Sequence, residues 1–199
     1  KKVHDQPLIY FDNAATTQKP RQVLEAMEKL YAEHYANVHR GIHTLSEEST
    51  DRYEAARDTV CRLLGGVSRE EVIFTCGTTE AINLVARSWG DQNVSQGDEI
   101  LISEMEHHAN IVPWQQLAER TGATVRWIPI SDDGMLDQEA CGSMLSSRTK
   151  LVAITAVSNV LGTINPIKKI IDAAHANDAL VLVDAAQSVP HAPTDLQSW

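Results

Sequence analysis

A glycine and two hydroxyl side chains, Gly77-Thr78-Thr79, follow the short apolar run 72–74 and precede a helical pattern. At the start of a helix such residues present main-chain amides, hydroxyl donors and the positive end of the helix dipole. This combination suits a phosphate group. A capped helix start without a ligand is the alternative interpretation of the same three residues.

Two adjacent histidines, His107 and His108, come shortly after the apolar run 100–102. An imidazole at this place can stack on an aromatic ring, act as a base or bind a metal. Neighbouring histidines point in different directions, so they are poorly disposed to share one ion, and we predict no metal site. Surface or packed histidines are the alternative.

Asp184 closes the apolar run 180–183, and Gln187 lies three residues further on. Burying a carboxylate is costly unless a cation or several hydrogen-bond donors meet it. A protonated ring nitrogen would be such a partner, whereas bonds from loop amides would satisfy the aspartate without a ligand. Gln187 would donate to a ring oxygen or cap a loop.

Asn159 follows the apolar run 151–154 and has an amide that both donates and accepts. It suits a substrate carboxylate or a ring substituent, although a turn near Gly162 explains it equally well. Together, the four strand ends offer a phosphate loop, an aromatic stacker, an anion and an amide. These groups fit a phosphorylated, protonatable aromatic cofactor, a description that matches pyridoxal phosphate.

The elements that must position these residues alternate along the chain. Strands are predicted at 72–74, 100–102, 125–130, 151–154 and 180–183. Helices are predicted after Pro20, from a cap at Ser46 to Gly65-Gly66, and over 78–89, 113–120 and 166–176. Apolar runs without polar alternation are typical of strands covered on both faces. We therefore predict an α/β fold, a mostly parallel doubly wound sheet with helices on both faces and a ligand site at the carboxyl ends of its strands.

Composition narrows the class of partner. The 199 residues include 17 basic and 27 acidic side chains, a net charge of −10, which disfavours nucleic-acid binding. No apolar stretch approaches the roughly 18 residues that span a bilayer, so we expect no membrane association and a cytoplasmic location. The three cysteines are widely spaced and odd in number, which favours reduced thiols.

The whole pattern resembles the cysteine desulfurases, class V enzymes of the fold-type I pyridoxal phosphate group. The resemblance is closest to the Suf-type subgroup (group II), which includes selenocysteine lyases. Six ordered segments carry it: Phe11 to Thr17, Asn37 to His43, Gly77 to Glu80, Glu106 to Asn110, Ser158 to Val160, and Val183 to Gln187. They extend over nearly the entire chain.

The resemblance implies a role for each matching residue. Thr78 and Thr79 would hold the cofactor phosphate, and His107 would stack on the ring as the catalytic residue. Asp184 would keep the ring nitrogen protonated, and Gln187 would bond the phenolic oxygen. The remaining implied contacts are Asn159 near that oxygen and the substrate carboxylate, Ala14 beside the substrate, and Arg40 near a dimer interface.

The implied reaction converts L-cysteine to L-alanine and passes the sulfur on as an enzyme persulfide, for iron–sulfur clusters or other sulfur biosynthesis. The implied partners are L-cysteine or L-selenocysteine, a second copy in a homodimer, and a sulfur-acceptor protein of the Suf type. Other class V activities, namely aminotransferase, kynureninase-like and epimerase, are alternatives. So is a non-catalytic remnant that acts in dimerisation or binding.

The sequence departs from the family pattern in one respect. The Schiff-base lysine of the family lies in a Ser-x-His-Lys motif after the Asp-x-x-Gln segment, and no lysine here has that context. We therefore expect residues 1–199 to be the amino-terminal segment and most of the cofactor-binding large domain, truncated before that lysine and without the small carboxy-terminal domain. Such a fragment would not turn over alone and would hold the cofactor weakly through phosphate contacts.

Overall fold

A computed structural model describes residues 2–199, which divide into two compact units. The first unit runs to Arg62, and the second is Leu63–Trp199. Among the described residues, every helix is too short or too polar to cross a membrane.

The first unit consists of a hairpin and two helices. Its elements are β1 (Lys2–Val3), β2 (Gln6–Pro7), α1 (Arg21–Lys29) continued by a π-helical turn (Leu30–His34), and α2 (Thr44–Leu63), of which only the last residue falls in the second unit. Helix α1 begins directly after Pro20, as predicted. The end of α2 before Gly65 and Gly66 is also confirmed, since both glycines have positive φ (90° and 85°).

The predicted cap of the second helix at Ser46 is wrong. Helix α2 begins two residues earlier, and Ser46 lies inside it, almost completely buried. Its hydroxyl donates to the main-chain oxygen of Asn37 (2.5 Å) and accepts from the amide of Gly41 (3.0 Å). The side chain therefore ties the preceding loop to the helix instead of capping the helix amides.

The second unit contains a four-stranded parallel sheet. Its strands are β3 (Glu99–Ser103), β4 (Thr124–Ile128), β5 (Thr149–Thr155) and β6 (Leu180–Asp184). The strand order is β4-β3-β5-β6, and every neighbouring pair is parallel. The predicted mostly parallel sheet is confirmed, although the predicted strand over 125–130 ends at Ile128, and Ile130 forms an isolated bridge with Leu136.

Helices connect the strands and cover both faces of the sheet. They are α3 (Thr78–Val85) continued by a π-helical turn (Ala86–Gly90), α4 (Asp91–Asn93), α5 (Val112–Thr121), α6 (Gln138–Met144) and α7 (Ile167–His175). Three 3-10 turns lie at Arg69–Glu71, His108–Asn110 and Leu196–Ser198. Helix α5 ends at Gly122, which takes the left-handed conformation (φ 78°) that a glycine allows.

The core lies on the two faces of the sheet, because alternate residues of each strand point to opposite sides. Ile100 and Ile102 of β3 pack into a cluster with Trp114 and Leu117 of α5. Leu101, between them, packs into a second cluster with residues of α6 and α7. The predicted doubly wound arrangement is therefore confirmed in the packing.

The predicted strand at 72–74 is wrong. Residues 72–75 follow a 3-10 turn and belong to neither sheet, and the side chains of Ile73 and Phe74 are 70% and 44% exposed. A β-branched, aromatic run fits a pleated surface only where a neighbouring strand supplies the hydrogen-bond ladder. No described strand takes that place.

A close contact fixes the carboxyl-terminal end of the α3 segment, which is α3 together with the π-helical turn that follows it. Gly90 ends the π-helical turn, and a Cβ built there would lie 2.6 Å from Cδ2 of Leu117. Any side chain at this position would push into α5. The two helical segments therefore pack against each other at the distance that glycine permits.

Candidate functional site

The start of α3 presents unused hydrogen-bond donors. The helical ladder begins with the amide of Ala81, which donates to the oxygen of Gly77 (3.1 Å). Within residues 2–199, the amides and hydroxyls of Thr78 and Thr79 donate to no protein acceptor outside the helix. A Cβ built at Gly77, whose φ is 153°, would meet nothing within 4 Å. The loop therefore borders open space and offers a set of donors that suits an anion.

The same end of α3 borders a cavity of about 320 Å³. Helix α3 contributes Thr79 and Asn83 to its lining, the loop after β3 contributes His107 and His108, and α5 contributes Gln116. The predicted phosphate-binding hydroxyl and the predicted stacking histidine thus share one cavity. None of the described residues that line it is acidic.

His107 begins the 3-10 turn after β3 and is held by that turn. Its Nδ1 accepts a hydrogen bond from the amide of Ala109 (3.1 Å), and its main-chain oxygen accepts from the amide of Asn110 (2.7 Å). An accepting Nδ1 places the proton of the neutral ring on Nε2. The ring centroid of His108 lies 6.0 Å away at an interplanar angle of 60°, and no metal-binding cluster occurs among the described residues.

Glu106, directly before His107, is buried in a hydrogen-bond network. Its Oε1 accepts from the hydroxyl of Ser103 (2.5 Å) and the amide of Thr155 (2.9 Å). Its Oε2 accepts from Nδ2 of Asn110 (2.7 Å), and Oδ1 of Asn110 accepts from Nε1 of Trp114 (2.9 Å). The network joins the ends of β3 and β5 to the first turn of α5.

The environment raises the pKa of Glu106 to about 6. Burial is the largest cause, the three hydrogen bonds oppose it, and the negative charge of Asp184 raises the pKa further. The sequence interpretation assigned no role to this residue. The sequence contained a signal, because a glutamate three residues after a buried strand needs hydrogen-bond partners if it is itself buried.

Asp184 ends β6 opposite Thr155 of β5 and is 6% exposed. Its Oδ1 accepts from the amide of Ala186 (3.0 Å), so the carboxylate has the loop-amide partner of the alternative interpretation. Two strand spacings, about 10 Å, separate the ends of β3 and β6. The aspartate therefore lies at the same edge of the sheet as the histidine loop, but on β6, which β5 separates from β3.

Two other predicted residues lie in turns at the same edge of the sheet. Asn159 is exposed, in a turn closed by the amide of Gly162, which donates to the oxygen of Ser158 (3.0 Å). Gln187 is half-buried in the turn that follows β6. The lining of the cavity that holds Thr79 and His107 includes neither of them, nor Asp184. Their contacts with a ligand stay predictions.

The predicted substrate and dimer residues belong to the first unit. Ala14 is exposed in a tight turn where the amide of Thr16 donates to the oxygen of Asp12 (3.0 Å). Arg40 is exposed in the turn after His39, which has a positive φ of 65°. The roles of both residues stay predictions.

The three cysteines are free thiols. Cys61 and Cys141 are buried, and Cys76 is exposed before α3. A hydrogen bond with the Glu80 side chain, followed by the charge of Glu80, raises the pKa of Cys76, and burial raises the pKa of Cys141. A raised pKa lowers the thiolate fraction, which is the nucleophilic form. The expectation that none of them carries the persulfide stays a prediction.

Comparison with known proteins agrees with the fold and the motifs. The chain is 54% identical over 198 residues to a cysteine desulfurase of Klebsiella pneumoniae and 53% identical to one of Synechococcus elongatus. All of this chain is covered, but only 49% and 32% of those proteins. The chain thus spans half or less of the length of these curated relatives.

Solved structures give the same result. A cysteine desulfurase from Thermococcus onnurineus superposes with a TM-score of 0.90 at 39% identity, over 96% of this chain and 47% of that one. One from Escherichia coli gives a TM-score of 0.83 at 38% identity, over 92% and 46%. Residues 9–199 match the family described as aminotransferase class-V, and the chain therefore belongs to that family.

Proposed function

We propose that this chain forms the cofactor-binding part of a pyridoxal phosphate-dependent cysteine desulfurase. The observation that carries the proposal is the common cavity of Thr79 and His107, since it combines anion donors and an aromatic stacking group in one place. The substrate would be L-cysteine or L-selenocysteine. The relatives named cysteine desulfurase, at 53% and 54% identity, support this reaction class.

The residues at the start of α3 fit the phosphate of this cofactor. A phosphate dianion needs several donors and little steric crowding, and the unused amides and hydroxyls of Thr78 and Thr79 supply the donors. The open space beside Gly77 allows the main chain to approach the ligand closely. The positive end of the α3 dipole adds to the attraction.

The ring-binding residues also fit. The amide of Ala109 holds the flat imidazole of His107 in place through Nδ1, which suits stacking on a pyridine ring, and the amide of Ala186 orients the carboxylate of Asp184. Pyridoxal phosphate, when bound, supplies an electron sink for amino-acid chemistry at the α-carbon. The carboxylate of Asp184 would hold a proton on the ring nitrogen, and Nε2 of His107 would be available for proton transfer.

Several parts of the proposed enzyme are not matched by any residue of this chain. No lysine has the Ser-x-His-Lys context, Cys61 is buried in α2, and the pKa values of Cys76 and Cys141 are raised, so we assign both functions to further sequence. The length of the relatives, about twice that of this chain in most cases, is consistent with this assignment. A homodimer, a Suf-type sulfur acceptor and a cytoplasmic location, which suits three free thiols, complete the proposal.

The test is product analysis with the whole protein. Cofactor-loaded protein given L-cysteine and a thiol reductant should release alanine and sulfide in equal amounts. Other class V activities would consume amino acids without releasing sulfide. Absence of alanine and sulfide from a fully loaded protein would contradict the proposal, and a protein that takes up no pyridoxal phosphate would favour a binding role.

A further inference from the structure

Four hydrogen-bonded residues link β5 to α5, in the order Thr155, Glu106, Asn110, Trp114. We propose that Glu106 is a positioning residue that sets the place of the His107 ring relative to Asp184. The inference rests on the proposed function only in its use of His107 as the stacking group. Glu106 is 7% exposed and does not line the cavity, so it acts through its neighbours and not on a ligand.

The direction of the hydrogen bonds calls for acceptors on both side-chain oxygens of residue 106. The indole Nε1 of Trp114 can only donate, so the amide of Asn110 must turn its oxygen towards it. The Nδ2 of Asn110 then has to donate in the other direction, and the acceptor it meets is Oε2 of Glu106. The remaining oxygen of Glu106 receives two more donors. A glutamine at position 106 would place its own amide donor against the donor of Asn110 or against that of Thr155.

The network encloses His107 on both sides. Glu106 precedes it in the chain, and the turn that starts at His107 ends at Asn110, whose amide donates to the oxygen of His107 (2.7 Å). Glu106 and Asn110 are joined through their side chains, so the loop closes on itself around the histidine. The amide of Ala109 inside this closed loop holds Nδ1 of the ring.

The same network reaches Asp184 through Thr155. The amide of Thr155 donates to Glu106 (2.9 Å), and its hydroxyl lies 3.4 Å from the main-chain oxygen of Asp184. Thr155 and Asp184 are also partners in the register of β5 and β6. Loss of the Glu106 contacts would therefore release the histidine loop from the strand that positions the aspartate.

Three variants of the whole protein test the proposal. In Glu106→Gln, the new amide nitrogen faces Nδ2 of Asn110, and in Asn110→Asp two carboxyl groups face each other. The double variant restores every hydrogen bond with the same net charge, because the new glutamine amide would donate to the new aspartate carboxylate, which would still accept from Trp114. Glu104→Gln, the same change on the exposed part of the loop, is the matched control.

The first readout needs no ligand. Each single variant should make the amide of Ala109 exchange with solvent about tenfold faster and shift the ring-nitrogen resonances of His107, since a buried unpaired donor destabilises the loop by this order. The double variant and Glu104→Gln should match the unchanged protein. A fall in the unfolding midpoint of Glu106→Gln with unchanged His107 resonances would mean a purely structural role and would overturn the proposal.

The second readout is the dissociation constant of pyridoxal phosphate. It should rise about tenfold in each single variant and return to within about threefold of the original value in the double variant. A double variant as weak as the singles would overturn the proposal. If the unchanged protein did not bind pyridoxal phosphate, the proposed function would fail, whereas the resonances of His107 would still decide the role of Glu106.

Discussion

The amide of Thr155 donates to Oε1 of Glu106 across 2.9 Å, while Thr155 itself stands opposite Asp184 in the sheet. One residue of β5 therefore links the glutamate before the candidate stacking histidine with the aspartate at the end of β6. The two carboxyl groups also interact electrostatically, because the charge of Asp184 raises the pKa of Glu106. A substitution that removes the charge of Asp184 should therefore change the pKa of Glu106.

The raised pKa of Glu106 predicts a pH dependence of folding stability. This carboxyl group binds its proton more tightly in the folded state, with a pKa of about 6, than at its usual value of 4.5. Its contribution is therefore most favourable below pH 4.5 and decreases as the pH rises to about 6, by about 2 kcal/mol. Denaturant unfolding of the unchanged protein and of Glu106→Gln at pH 4 and pH 7 should show this difference between the two proteins. Equal pH dependence in both would contradict it.

Asp184→Asn should lower the pKa of Glu106, because it removes a nearby negative charge. The pH range in which the protein loses stability should shift downward in the same unfolding experiment. In the cofactor-loaded whole protein, the variant should also lose most of its alanine release, since an amide does not hold a proton on the ring nitrogen. Asp172→Asn, which removes an exposed ion pair on α7, should do neither.

Thr79→Ala should weaken the binding of pyridoxal phosphate by roughly tenfold to a hundredfold, the range of a hydrogen bond to a charged group. Thr79→Ser keeps the hydroxyl and should bind nearly as well. The measurement is a fluorescence titration of the protein with pyridoxal phosphate. Ser88→Ala is the control, since Ser88 bonds the main chain within the far end of the α3 segment. Equal affinities of the alanine and serine variants at position 79 would argue against a phosphate contact.

His107→Phe separates stacking from proton transfer. Phenylalanine retains a flat ring but has no nitrogen, so cofactor affinity should stay within a fewfold of the original while alanine release falls by about 10² or more. His108→Phe should have a smaller effect on alanine release, although its ring also borders the cavity. If His107→Phe turned over normally, His107 would serve only as a stacking surface.

The contact between Glu80 and Cys76 predicts a slower reaction of the thiol. The Glu80 side chain raises the pKa of the thiol, so Glu80→Gln should lower that pKa and speed alkylation by iodoacetamide at pH 7. Glu70→Gln, an exposed glutamate before α3, should leave the rate unchanged. Mass spectrometry of the labelled peptide gives the rate. A slower reaction in Glu80→Gln would show that the glutamate activates the thiol.

The buried strands could be predicted from the sequence because strands covered on both faces have continuous apolar runs, as in β3 and β5. Short elements with weak patterns were missed. Helix α6 buries little besides Cys141 and contains Gly142, and β1 and β2 have two residues each. Thr79 and His107 share a cavity even though the strand predicted before Thr79 does not form, so the helix start and not a strand end places Thr79 there. The role of Glu106 depends on donors from β5 and α5 that no sequence spacing reveals.

Gly90 has a consequence for the opposite end of its helix. The segment from Thr78 to Gly90 is nearly 20 Å long at the rise of an α-helix, and Leu117 blocks any side chain at its far end. A larger residue at position 90 would press against Leu117 of α5, and we expect the helical segment Thr78–Gly90 to tilt away from α5 as a result. The hydroxyls of Thr78 and Thr79 would then move relative to His107, so a substitution about a dozen residues away would weaken the binding of the phosphate proposed for this site.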